Sequence, residues 1–316
     1  MKRKAAIAVV AKLILSVALL LLVLAKVEVG SVLAILARAD AWLVALWYSL
    51  VPVAIALTAW RWTILAPGLA LGTAVKYTWI GVFFGHVLPG SIAGDIAKGV
   101  SLALKDSAAR SGLAASIVAE KIIGLAALLL FFDTACGVVY ALYGDAAPQI
   151  RQLAVVALVL SLVGVLGGGA MAYVALRSDL FSKVGRVDMM GRLAEGIGSA
   201  AKFYGNKPSL LARALLISMM IHVLNIIATY LSFRALKVDA GLLFAAIVYP
   251  VVSVMLLIPI SVSGIGVRDA TLAVLFTLFG LSAASGVALS WLALLAMIPN
   301  VAIGGAIQLV EMYRKH

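Results

Sequence analysis

Residues 75–104 read VKYTWIGVFFGHVLPGSIAGDIAKGVSLAL. The stretch is apolar enough for hydrocarbon, and long enough, since ~20 residues at 1.5 Å each cover its ~30 Å. Yet Gly85, Pro89, Gly90 and Gly94 interrupt it. Proline removes a backbone donor and ends the incoming helix, while glycine lets the chain turn and backbones approach. Non-helical backbone at that depth persists only inside protein or against a wet cavity. The segment therefore predicts a hairpin of two half-helices that re-emerges on the side it entered.

A second stretch repeats the device. Residues 241–258 are apolar, Pro259, Gly264 and Gly266 break them, and helical character resumes at 270–279. Pro89-Gly90-Ser91-Ile92-Ala93-Gly94 and Pro259-Ile260-Ser261-Val262-Ser263-Gly264 share the spacing P-x-S-x-x-G. Charge follows each: Asp95 and Lys98 in the first, Arg268 and Asp269 in the second. Paired Gly/Pro-interrupted segments in corresponding positions suggest an inverted repeat with a mid-membrane binding site.

Outward from these segments the chain is almost continuously apolar. Of its 316 residues 65% are hydrophobic and 12% charged, more apolar surface than a soluble domain of this size can hide. Uninterrupted spans are expected near 5–25, 41–60, from 113 to beyond 132, and near 153–176, 210–233 and 283–310. The prediction is thus an all-α polytopic membrane protein with about six full spans plus two broken-helix hairpins, forming one integral membrane domain over 1–316. The first apolar run exceeds a signal-peptide core and lacks an A-x-A site, so it reads as an uncleaved span. Residues 26–40 read as a mixed connector. Between 177 and 209, Phe181, Val184, Leu193, Ile197, Ala201 and Tyr204 recur at helical spacing among basic residues. This segment is either a cytoplasmic amphipathic helix on the membrane surface or a helix packed on neighbouring loops.

With the N-terminus inside, most of the 25 Lys and Arg fall on the cytoplasmic face. The outer face keeps Lys26, Arg38, Arg151, Arg234 and Lys237, which follows the positive-inside rule. Both termini are then cytoplasmic, and a plasma membrane is the expected location. The formal charge of +12 reflects loops facing anionic headgroups rather than nucleic-acid binding. Lys12, Lys98, Lys121 and Arg268 remain at membrane depth.

Charge inside a bilayer costs ~2.5–3.5 kcal/mol per residue on insertion scales, so Asp95, Glu120, Asp269, Lys98, Lys121 and Arg268 must compensate one another. They form either an ion-pair network that only holds the bundle, or a site. In the second case the half-helix N-termini tip the cluster toward positive. Lys98 and Arg268 would then bind an anion with backbone donors around Ser91–Gly94 and Ser261–Gly264, supported by Asp95, Glu120, Lys121 and Asp269. The lone Cys136 and the scattered His86, His222 and His316 give no metal-ligand spacing. Gly264-Ile265-Gly266 lacks the preceding strand of a dinucleotide site, and no P-loop or nucleophile set is present. No cofactor and no enzymatic activity are expected.

At these same residues the chain resembles a known family. Phe83-Phe84-Gly85-His86-Val87-Leu88-Pro89-Gly90-Ser91-Ile92-Ala93-Gly94-Asp95 looks like the FF…LPGS-x-GGD motif of the lysylphosphatidylglycerol synthase transmembrane-region family, also described as flippase-like. Ile258 to Asp269 resembles that family's P-x-S-x-x-G-x-G-x-R-E. Lys98 stands where the family usually has arginine, Glu120-Lys121 replaces an acidic-Arg pair, and Asp269 replaces glutamate. Signs are kept, but two bidentate forks are lost. With few residues after Val310, the resemblance implies the lipid-handling half without the aminoacyl-transferase domain.

The expected function is movement of an anionic, phosphate-bearing lipid across the membrane, with membrane lipids as partners. The alternative is a non-catalytic membrane partner of a lipid-modifying or glycosyltransferase enzyme. The oligomeric state is left open.

Overall fold

The structure, a computed structural model, describes residues 2–87, 93–103, 110–143, 202–258 and 261–313, with 152, 155, 158, 159, 161 and 162. Every regular element among them is helical. In chain order they are α1 (Lys2–Leu24), α2 (Val29–Ala37), α3 (Ala41–Leu65), α4 (Leu71–Val87) and α5 (Ala93–Ala103). There follow α6 (Arg110–Tyr143), α7 (Pro208–Ala235), α8 (Leu242–Leu257), α9 (Val267–Leu278) and α10 (Ala283–Tyr313). Four of these, α3, α6, α7 and α10, hold apolar windows long enough to cross a membrane, and a bent pair within α1–α2 makes a fifth candidate. The protein is a polytopic helical membrane protein. Most of the span expected at 153–176, together with Pro89, Ser91, Pro259 and residues 177–201, lies outside the described residues.

One element is added to the sequence expectation. The connector 26–40 contains a helix: α2 is nine residues long and lies at 87° to Lys12–Leu24. Its charges, Lys26, Glu28, Arg38 and Asp40, sit outside its ends, and within VGSVLAILA only Ser31 is polar, its hydroxyl donating to Glu28 Oε2 at 2.9 Å. The span expected from Leu113 to beyond Phe132 lies in α6, which runs to Tyr143. Asp133 is inside this helix, ten residues before its end. One of its carboxylate oxygens accepts a hydrogen bond from Ser161 at 2.7 Å, which lowers the cost of carrying it there.

The chain divides into two compact units. The first comprises Met1–Ile55, Lys76–Lys98 and Leu224–His316. Here α9 packs against α1, α8 and α10, and α10 also packs against α2. Phe233, Phe244, Phe276 and Phe279 bring α7, α8 and α9 together through rings 4.8–5.8 Å apart. A Cβ on Gly304 would strike the Trp79 carbonyl and lie 2.9 Å from the Phe83 Cβ, and one on Gly305 would meet the Phe83 ring at 3.1 Å, so the two glycines let α4 and α10 approach closely. Lys76 and Glu311 close the same contact with an ion pair of 2.8 Å. Asp40 caps α3 through the N–H groups of Trp42 and Leu43, at 2.9 and 3.1 Å.

The second unit comprises Ala56–Val75 and Gly99–Val223. Its core gathers Leu65, Ala115, Ala119, Ile123, Tyr204 and Ala214. The Trp62 indole N–H donates to Ser116 Oγ at 3.0 Å. Tyr204, from the apolar stripe of 177–209, is buried in this core, and its hydroxyl donates to the Leu65 carbonyl. Burial pushes the pKa of the phenol up to about 12.

Candidate functional site

The first interrupted segment doubles back on itself. A Cβ on Gly94 would strike the Gly81 carbonyl and come within 3.0 Å of the Gly85 Cα. Gly81 also faces the Lys98 Cβ, 3.3 Å from where its own Cβ would lie. α5 thus returns alongside α4, and the G-x-x-x-G of α4 seats the first turn of α5. This places Lys98 against the incoming half-helix. Lys98 is 2% exposed, and its ammonium lies 4.0 Å from the half-buried carboxylate of Asp95. The i,i+3 spacing that puts both on one helix face creates this pair.

The second interruption is a tight turn between α8 and α9. Gly264 and Gly266 have φ of +77° and +80°, and Ser263, with a side chain, has +53°. Gly266 sits so close to α1 that a Cβ there would lie 2.6 Å from the Ser16 carbonyl and 2.8 Å from the Leu19 Cβ. Several backbone donors around this turn are engaged, among them one, Val262, of the Ser261–Gly264 stretch. The Val262 N–H donates to Ser16 Oγ (2.9 Å), Ile265 to the Val262 carbonyl (3.0 Å) and Arg268 to the Gly264 carbonyl (2.9 Å). The Gly266 N–H donates to Asp269 Oδ2 at 2.8 Å. Asp269, fully buried, thereby satisfies the backbone donor that precedes α9, through a one-way bond.

One contact joins the two interrupted segments: the Ser263 hydroxyl donates to the His86 carbonyl at 2.9 Å, in the last turn of α4. It satisfies a carbonyl that the end of α4 leaves without a helical partner. Ser263 holds a strained backbone while making this bond, so two substitutions separate the effects. Ser263→Ala keeps the strain and loses the bond, and thermal unfolding in detergent is expected to show a loss of about 1 kcal/mol. Ser263→Gly loses the bond and relieves the strain, and is expected to lie near the wild type.

Arg268 is held by a bond from its Nε to Ser290 Oγ on α10 at 3.1 Å. Its Nη2 is buried and, among the described residues, has no hydrogen-bond partner. A buried guanidinium donor left open costs stability unless something accepts from it. That something must carry lone pairs and, beside a cation, favours negative charge.

Of the residues read from sequence, Gly94, Asp95, Lys98, Ser261, Gly264, Arg268 and Asp269 all belong to the first unit. Ser261 is half-buried in the α8–α9 turn, and Ser91 lies outside the described residues. Glu120 and Lys121 belong to the second unit, and their side chains diverge: Glu120 is 2% exposed, whereas Lys121 is on the exposed face of α6. Glu120 Oε1 pairs with Arg61 Nη2 at 2.9 Å, and Arg61 Nη1 donates to Ser218 Oγ at 2.9 Å. Beside them, His222 Nε2 bonds the Gly124 carbonyl at 2.9 Å. Arg61 stands at the end of an apolar run, among the basic residues that the charge distribution puts on the cytoplasmic face, and nothing in the sequence shows that α6 brings a carboxylate to it.

Over residues 9–304 the chain matches the family described as Lysylphosphatidylglycerol synthase TM region. No curated protein and no solved structure matches it.

Proposed function

The chain belongs to the lysylphosphatidylglycerol synthase transmembrane-region family, and from that premise we propose that it moves an anionic lipid between the leaflets of a plasma membrane. The substrate class is a phosphate-bearing lipid, either a phospholipid or a polyprenyl-phosphate-linked molecule. Both termini face the cytoplasm in this reading, as the distribution of Lys and Arg favours. The observation that carries the proposal is the open Nη2 donor of Arg268 at the start of α9, in a unit that also buries the Lys98 ammonium. Arginine supplies the fork for a phosphate oxygen, and lysine supplies a compact positive charge. Asp95 and Asp269 hold these cations in place and limit the net charge left inside the membrane. Non-catalytic transport asks no nucleophile of the chain, only a patch that accepts and releases a headgroup.

Reconstituted vesicles containing a fluorescent anionic lipid test this. The wild-type protein is expected to exchange the label between leaflets. Each charged hydrogen bond removed costs ~1.5–3 kcal/mol, so Arg268→Ala with Lys98→Ala is expected to slow exchange at least tenfold. Unchanged exchange in the double variant refutes the phosphate role of the two cations. Absence of exchange by the folded wild-type protein refutes transport itself.

A further inference from the structure

α2 is separated from α1 by only four residues and turns 87° away from Lys12–Leu24. Nine residues reach ~13 Å, less than half of the ~30 Å of hydrocarbon, so α2 cannot span. One side of it is buried: Val32 is 0% exposed, and α2 packs against α10. The other side is open and wholly apolar, running through Val29, Leu33 and Ala37. Exposed charges bracket the helix at both ends, Lys26 and Glu28 before it and Arg38 and Asp40 after it. Charged side chains with free access to a polar phase settle at headgroup depth. Both ends of a ~13 Å helix can reach that depth on one side of the membrane only if the helix is level. Trp42, 77% exposed at the start of α3, adds an aromatic of the kind that collects at the same depth.

We propose that α2 is an interfacial helix that lies flat in the headgroup–acyl boundary, with the bilayer surface itself as the partner of its open face. Val29, Leu33 and Ala37 dip into the acyl region, and the four flanking charges stay among headgroups. An amphipathic helix gains its contrast from polar residues on its own surface. This one gains it from α10, which covers the inner side, and from the charges beyond its ends.

Depth measurement in vesicles decides the matter. Single cysteines replace Val29, Leu33 or Ala37 in a Cys136→Ala background of the full chain and carry an environment-sensitive fluorophore. They are reconstituted in phosphatidylcholine with phosphatidylglycerol and quenched by lipids with nitroxides at graded depths. A label at Ile14, midway along α1 and 64% exposed, serves as the deep reference. The three α2 labels are expected at one common shallow level, within a helical turn (~5 Å) of each other. A steady slope of ~12 Å from residue 29 to 37 would mean an inserted helix and overturns the proposal. Labels that no lipid quenches would mean a face turned to water or covered by protein, and overturn it equally. Gly30 and Ala34 lie on the same open face, and a Cβ at Gly30 meets nothing within 4 Å, so they replace any position whose variant fails to fold.

Discussion

Arg61→Leu is expected to cost roughly 3–5 kcal/mol, because it strands the carboxylate of Glu120 with its ion-pair partner gone. The pair is nearly dry, with side-chain exposures of 10% and 3%. Solvent therefore cannot take over the role of the guanidinium, and Ser218 loses the donor it accepts from. Arg61→Leu with Glu120→Leu removes both charges at once and is expected to recover most of the loss, since well-packed apolar residues replace buried ion pairs at little net cost. Unfolding midpoints in detergent, followed by tryptophan fluorescence, provide the comparison. If the double variant is as unstable as Arg61→Leu alone, the charge pairing is not what holds this part of the second unit together.

The next largest effect is expected at Gly266. Its φ of +80° and its contact with α1 exclude a side chain for two separate reasons. A non-glycine residue at positive φ costs about 1–3 kcal/mol, and forcing atoms into a filled space adds about 1–3 kcal/mol more. Gly266→Ala should therefore lose more than either term alone. Gly280 isolates the first term, because its φ is +74° and a Cβ there meets nothing within 4 Å. Gly280→Ala is expected to lose only the conformational part. Equal losses in the two variants would show that the close approach of α1 to the α8–α9 turn does not constrain the fold.

Interruptions such as these are legible in sequence because proline and glycine act locally. Gly264 and Gly266 marked the turn before α9, and the G-x-x-x-G of α4 marked a packing face. What remained hidden depends on partners far along the chain. Gly94 as the residue seated on that face, Ser16 as the acceptor for Val262 and Arg61 as the counter-ion of Glu120 each require a tertiary fold to bring them in. The engaged donors of the α8–α9 turn illustrate the difference. Local chemistry suggested backbone N–H donors at Ser261–Gly264, of which α1 engages Val262, while the Arg268 side chain keeps a buried donor open. α2 was hidden for another reason. Nine largely apolar residues between charged neighbours are too short to register as a span, and periodicity cannot report a right-angle bend. Ser161 as the partner of Asp133 likewise comes from a different segment.

α6 carries one further implication. It runs for 34 residues, about 51 Å at 1.5 Å per residue, and carries Glu120, Lys121 and Asp133 along the way. Hydrocarbon of ordinary thickness, ~30 Å, covers only part of that length, so α6 leans or reaches past the acyl region at one end at least. Bilayer thickness therefore decides how much of this helix stands among headgroups.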